Sequence, residues 1–196
     1  RQAADNPIIR LSQIVREGGK LKQGKYGDSL VIPQSRLDWQ ALAQSDQVLV
    51  GTNKTRQLAI TKIRELKGQT LTVETNDRLI CLKNDRAKML LNGSMWTVMA
   101  VREYGRSMRL TLSSQDGLAE AVDIYTRPEM FDGRDDTLNP AQRRTLDEFT
   151  FAEAITVHKA QGSQWNDVAI IDESRQFRED ARAHLYTAIT RAASRV

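Results

Sequence analysis

Between positions 156 and 162 the chain reads Thr-Val-His-Lys-Ala-Gln-Gly, and between 186 and 192 it reads Tyr-Thr-Ala-Ile-Thr-Arg-Ala. In an extended segment alternate side chains share a face, so Thr156 and His158 project together, and both can donate hydrogen bonds to phosphate oxygens. Lys159 adds a compact point charge. Gly162 permits a backbone geometry or a close approach that larger residues deny. About thirty residues on, Arg191 carries a permanent charge on a planar fork, the shape that suits the spread charge of a phosphoryl group in transfer. The two segments together offer a grip on a nucleic-acid phosphate and a grip on a nucleotide phosphate. A solvated strand end and a surface ion pair are the alternatives for each taken alone.

These residues need elements to hold them. Ala154-Ile155-Thr156-Val157 reads as a short strand, and Val168 to Ile171 as a second, buried one. The spacing predicts a helix over 181–195, with Leu185, Ala188, Ile189 and Ala192 as its packing stripe. On that helix Thr187, Arg191 and Arg195 would share another face. Near the start, Ile8, Leu11, Ile14 and Val15 recur at helical spacing until Gly18-Gly19. Val48-Leu49-Val50 ends in Gly51 and reads as a buried parallel strand. Thr52 can cap the helix that follows, with Ala59, Ile63 and Leu66 on one face. Strand, polar turn and helix in this order make an α/β fold with a parallel sheet.

Residues 68–145 change period. Runs at 69–74, 78–83, 95–102 and 109–113 are β-prone, with turn signals at Asn76-Asp77, Asn92-Gly93 and Tyr104-Gly105, and 119–125 can add a strand. Short strands without helices predict a small barrel or antiparallel sheet inserted into the α/β lobe of 1–67 and 146–196. From Phe149 onward the α/β pattern is expected to resume.

With 196 residues, 40% hydrophobic and 28% charged, the composition is that of a globular chain. A net charge of +4 leans toward polyanionic partners. The single cysteine, Cys81, excludes an internal disulfide and a zinc cluster and fits a reducing interior. No apolar run reaches the roughly 20 residues that cross a membrane. The absence of an initiating methionine reads as an excised fragment.

The two signatures, in this order, resemble motifs V and VI of superfamily 1 helicases of the RecD/Dda-like branch. Asn6-Pro7-Ile8-Ile9 preceded by Arg1-Gln2 resembles motif IV, and residues 48–56 resemble the segment called IVa. Residues 78–98 are similar to the SH3-like insertion of those helicases. Motifs I to III are absent, since no Gly-x-x-x-x-Gly-Lys-[Ser/Thr] occurs. The resemblance implies the second RecA-like lobe of a P-loop-type, ATP-dependent 5′ to 3′ DNA helicase, with a UvrD-like C-terminal domain and no turnover of its own. ATP and Mg²⁺ would be held mainly by the missing N-terminal lobe, which is thus a partner together with single-stranded DNA.

The resemblance also assigns roles. Arg191 becomes an arginine finger and Arg1 a second phosphate sensor. Gln161, Gly162, Gln164 and Thr190 would face ATP. Gln164 stands where relatives often have glutamate, so it keeps an acceptor but loses the charge. Thr156, His158, Lys159, Asn53, Lys54 and Arg56 would contact DNA, although Asn53 can equally order its turn. Trp96 and Trp165 read as packing rather than base stacking, and His184 as a helix-surface residue. The parent would work in the cytoplasm of a bacterium or a phage-infected host, in replication, repair or recombination, alongside other proteins of those processes. Two alternatives stay open: a helicase-type subunit of an exodeoxyribonuclease complex, and a nucleic-acid binding module without motor function.

Overall fold

The structure, a computed structural model, describes residues 6–115, 117 and 121–196. In chain order its elements are helix α1 (Pro7–Arg16), strands β1 (Gly24–Tyr26) and β2 (Ser29–Val31), α2 (Trp39–Gln44), β3 (Gln47–Val50) and α3 (Asn53–Leu66). Then come β4 (Arg78–Cys81), β5 (Met95–Tyr104), β6 (Ser107–Ser114), β7 (Val122–Thr126), α4 (Pro140–Arg144) and β8 (Phe149–Phe151). The chain ends with β9 (Ala154–Thr156), β10 (Trp165–Ile171), α5 (Ala181–Ile189) and β11 (Ala192–Arg195). It divides into two compact units, one running to Leu66 and resuming at Glu153–Val196, the other Lys67–Ala152.

The first unit is built on a parallel sheet in the order β11-β10-β3-β9. β3 lies at its centre and is buried along its whole length, which is why an unbroken apolar run with no alternation encodes it. Helix α1 begins where expected, with the Asn6 side chain accepting from Ile8 N and Pro7 at the first turn. Thr52 does cap α3, its Oγ1 accepting from Thr55 N at 3.2 Å. The buried face of α3 is Ala59, Ile60, Ile63 and Arg64, while Leu66 is 48% exposed. Ala59 and Ile63 thus face inward as expected, while Leu66 does not, and Arg64 lies inside with its guanidinium paired to Glu153 (Nη1 to Oε1, 2.9 Å).

Two expectations about the chain's last third need correction. Helix α5 stops at Ile189 instead of running to 195, and Ala192–Arg195 forms a strand against β10. Trp165 and Ala192 are paired in register, and Trp165 N donates to Arg191 O at 3.0 Å. An unsatisfied sheet edge outcompetes two further helical turns. Arg195 consequently leaves the Thr187–Arg191 face and pairs with Asp167, Nε to Oδ1 at 2.9 Å. Phe149–Phe151 does not return to the α/β lobe but pairs with β4 in the other unit.

That second unit is an antiparallel sheet in the order β7-β6-β5-β4-β8. β5 and β6 form a long hairpin through Gly105, with a register shift between Val98 and Ala100. Its core includes Trp96, Phe131, Phe149 and Phe151, all fully buried, with Trp96 edge-on to Phe149. Trp96 is thus core, as its alternating strand implied. β7 and β8 share no ladder, yet Asp147 next to β8 donates its N–H to Tyr125 O (2.8 Å) and accepts Tyr125 N through Oδ2 (2.9 Å). Residues 69–74 form irregular backbone with a bend at 71–72 instead of a strand, since Thr70 Oγ1 accepts from Thr72 N and competes with extended pairing. The expected strand at 119–125 is seen as Val122–Thr126, and residues 119 and 120 lie outside the described residues.

Candidate functional site

β3, β9 and β10 end level. Val50 is in register with Thr156 on one side and Ile171 on the other. The turns that follow them therefore emerge together at the carboxyl edge of the sheet, where open parallel sheets usually hold ligands. This edge gathers the residues that the sequence offered for nucleic-acid phosphate. Asn53 and Lys54 are exposed in the first turn of α3, and Arg56 is half-buried. On the neighbouring turn Thr156 is half-buried, Val157 is tucked in with its N–H donating to Val50 O, His158 is exposed and Lys159 is half-buried. The alternation that put Thr156 and His158 on one face survives as far as His158.

Residues 157–164 then travel from the carboxyl edge of β9 to the amino end of β10, past β3. Seven residues of β10 separate the two edges, roughly 20 Å at the usual rise per strand residue. The path is a string of turns, with Ala160 N donating to Thr156 O at 3.1 Å and Ser163 N to Ala160 O at 3.2 Å. Gln161, Gly162 and Gln164 are exposed along it. Gly162 has φ +89° and nothing within 4 Å of a Cβ built on it. Its requirement is the left-handed backbone, not a close approach.

At the amino edge this loop meets Arg191. The guanidinium donates through Nη1 to Ser163 O (3.1 Å), through Nε to Thr187 O (3.2 Å) and through Nη2 to Thr190 Oγ1 (3.3 Å). Every acceptor is neutral, and among the described residues Arg191 makes no ion pair. The charge is held in place without being neutralised. Thr190 Oγ1 itself donates to Thr187 O at 3.0 Å. Thr190 also lines a groove of about 330 Å³ with Ile8, Ser12, Gln13, Arg16 and Tyr186. Arg1, the other arginine offered for nucleotide sensing, lies outside the described residues.

Two residues at the carboxyl edge, Glu173 and Phe177, escaped the sequence reading, and a third, His184, was misplaced by it. The Glu173 carboxylate, just past β10, accepts from Gly51 N at 2.8 Å and Thr52 N at 2.9 Å. Phe177 stacks on His184 with ring centroids 4.0 Å apart and 14° between planes. His184 is therefore buried, not on the helix surface, and among the described residues both its ring nitrogens lack hydrogen-bond partners. Burial, and secondarily the neighbouring His158, pull its pKa below the ordinary histidine value against the opposing pull of Asp172 and Glu173. The Asp-Glu-Ser that follows a buried strand was the available signal for Glu173. Its donors lie 121 and 122 positions away, beyond any local pattern.

Residues 151–196 match the UvrD-like helicase C-terminal domain. That stretch holds β9, the crossing loop and Arg191. Across nearly the whole chain the fold is similar to solved Pif1 helicases. One, from work on unwinding of forked double-stranded DNA by two coordinating Pif1 helicases, shares 15% identity over 95% of this chain and 44% of its own, with a TM-score of 0.54. The Candida albicans Pif1 shares 15% over 95% of this chain and 51% of its own, TM-score 0.53. A Bacteroides Pif1 in complex with ADP-AlF3 and ssDNA shares 14% over 95% of this chain and 46% of its own, TM-score 0.51. The α/β unit with its parallel sheet thus matches a RecA-like helicase lobe in fold. The chain spans about half the length of these helicases. Among the described residues no helix is long and apolar enough to cross a membrane.

Proposed function

We propose that this chain is the second RecA-like lobe of a superfamily 1, ATP-dependent DNA helicase, and that it works with a P-loop lobe outside these 196 residues. Phosphates of single-stranded DNA lie along the carboxyl edge, held by Thr156, His158, Lys159, Asn53, Lys54 and Arg56 irrespective of base. Contacts to phosphate carry no sequence information, which is what a translocating motor needs. ATP is bound in the cleft between lobes, and Arg191 reaches the transferring γ-phosphoryl group. Gln161, Gly162, Gln164 and Thr190 line this lobe's side of that cleft, Thr190 opening on the groove beside α1, and Arg1 supplies a second contact.

The observation that carries the reading is the loop 157–164. It leaves the phosphate-gripping edge at His158 and Lys159 and is pinned at its far end, through Ser163 O, by the Arg191 guanidinium. A displacement of Arg191 toward a γ-phosphate is transmitted along it to the DNA edge. The arginine sits on neutral acceptors alone, so an incoming anion competes with no carboxylate for it. Mg²⁺ belongs with the P-loop lobe in this proposal, because motifs I to III lie outside this chain.

The finer assignments are part of the same proposal. The Thr-Val-His-Lys-Ala-Gln-Gly and Tyr-Thr-Ala-Ile-Thr-Arg-Ala signatures support the RecD/Dda-like branch and hence 5′ to 3′ movement. The bonds between Asp147 and Tyr125, which draw β7 toward β8, support an SH3-like insertion. Work in DNA replication, repair or recombination in a bacterial or phage-infected cytoplasm follows from that branch. The deciding experiment joins the P-loop lobe to this chain and measures ATP turnover with and without single-stranded DNA. Stimulation by DNA is expected, and its absence refutes the motor reading.

A further inference from the structure

We infer that Glu173 is a positioning residue for the single-strand grip: it braces the β3–α3 turn that carries Asn53, Lys54 and Arg56, and its segment ties that turn to the one carrying His158. The inference rests on the helicase reading above and adds a residue that neither signature contains.

The bonding supports a brace. A helix N-terminus leaves backbone N–H groups without partners, and Thr52 caps only Thr55 N. Glu173 Oε2 takes Gly51 N and Thr52 N at 2.8 and 2.9 Å, and Oε1 takes Thr55 Oγ1 at 2.7 Å and Thr52 Oγ1 at 3.2 Å. Gln176 Nε2 adds a bond to Oε1 at 3.1 Å. A negative charge beside the positive end of α3 is also favourable in itself. Burial raises the Glu173 pKa, but the bonds from Thr55, Thr52 and Gly51 outweigh it and hold the carboxyl below its ordinary value.

The approach depends on Gly51. A Cβ at that position would lie 2.7 Å from Glu173 Cβ and 3.1 Å from Phe177 Cε2. Gly51 has an ordinary backbone conformation, so close contact explains this glycine. Phe177 faces the His158 ring at 5.8 Å while stacking on His184. One short segment, 173–177, thus touches both turns that present phosphate-binding side chains. The two turns share an edge through the sheet register, and this segment fixes how their side chains face one another.

The test uses Glu173→Ala, Glu173→Gln and Gly51→Ala, in the 196-residue chain and in the protein joined to its P-loop lobe. A fluorescently labelled oligothymidylate reports binding by anisotropy, and hydrogen exchange reports the Gly51 and Thr52 amides. Glu173→Ala should weaken binding about tenfold, one such factor being 1.4 kcal/mol, and speed exchange at both amides. In the joined protein it should raise the DNA concentration for half-maximal ATP turnover while leaving turnover at saturating DNA unchanged. Glu173→Gln should stay within about threefold, because its oxygen can serve the two N–H groups and its amide the threonine hydroxyls. Gly51→Ala should mimic Glu173→Ala. Should Glu173→Ala fail to fold, Glu173→Asp, one methylene shorter, must show the same loss. Unchanged or tighter DNA binding in folded variants overturns the inference, tighter binding marking the carboxylate as a competitor of phosphate. An unsubstituted protein that ignores the oligonucleotide overturns the helicase reading itself.

Discussion

Replacing Arg191 separates two roles of one side chain, the clamp on the crossing loop seen in the structure and the proposed charge for the γ-phosphate. The clamp consists of three hydrogen bonds of 3.1 to 3.3 Å to Ser163 O, Thr187 O and Thr190 Oγ1. Such bonds each contribute on the order of 1 kcal/mol net, and the site is only half-buried, so water can replace the guanidinium. Arg191→Ala should therefore cost about 1–3 kcal/mol of stability. A domain of this size loses roughly 2–4 °C of Tm per kcal/mol. The structure thus alters the expectation for a surface arginine, whose removal would leave Tm nearly unchanged. Arg191→Lys keeps the charge and can still reach one carbonyl, so its Tm should fall by less. The chemical role is far larger, since arginine fingers contribute about a thousandfold or more to turnover, or roughly 4 kcal/mol of barrier. The assay is DNA-stimulated ATP turnover of the two-lobe protein at saturating ATP and DNA, beside a melting curve and single-strand affinity for each variant. Both variants should lose most turnover and all unwinding while retaining appreciable DNA binding. Turnover of Arg191→Lys within about threefold of the parent, with Arg191→Ala merely melting earlier, would leave Arg191 a structural clamp and refute the phosphoryl role.

His158→Ala or Lys159→Ala should weaken single-strand binding alike for all sequences, and removing Lys159 should lower the slope of log affinity against log salt by up to about one; a sequence-selective loss contradicts a phosphate grip. Arg64→Ala leaves Glu153 buried beside α3, so urea unfolding should show a loss of about 3–5 kcal/mol, while Arg64→Met with Glu153→Leu should recover most of it; equal stability of the single variant refutes the buried pair. His184 has a folded pKa below its ordinary value of 6.5, so the unfolded chain takes up the proton first. Stability is complete above that value and falls as pH drops below it, and His184→Phe should flatten this part of a stability-against-pH curve. Glu173 acts in the next window down: its stabilising charge is present above the ordinary value of 4.5 and is lost as pH falls through the lower folded value. Glu173→Gln should remove that acid limb, as read from Tm between neutral and acid pH.

Much of this protein is local and can be read from residue order. The buried run Val48-Leu49-Val50 needs no partner to be recognised, since an element covered on both faces shows no alternation. Asn6-Pro7 starts α1, Thr52 caps α3 and Gly105 turns the β5–β6 hairpin, each by interactions within a few residues. The candidate grip Thr156, His158 and Lys159, and Arg191 with it, were likewise visible as residue types at a spacing. What local order could not decide was competition between distant partners. Residues 192–195 have nothing in them that ends a helix, and they leave it only because β10 offers an open edge. Phe149–Phe151 goes to β4 because Leu79, Ile80 and Cys81 accept its ladder. Arg64 and His184 are drawn inward by Glu153 and Phe177, partners remote in the chain or across a kinked turn. The placement of the candidate phosphate-binding residues at one edge and Arg191 at the other, joined by residues 157–164, follows from strand register, and register exists only once the strands have paired.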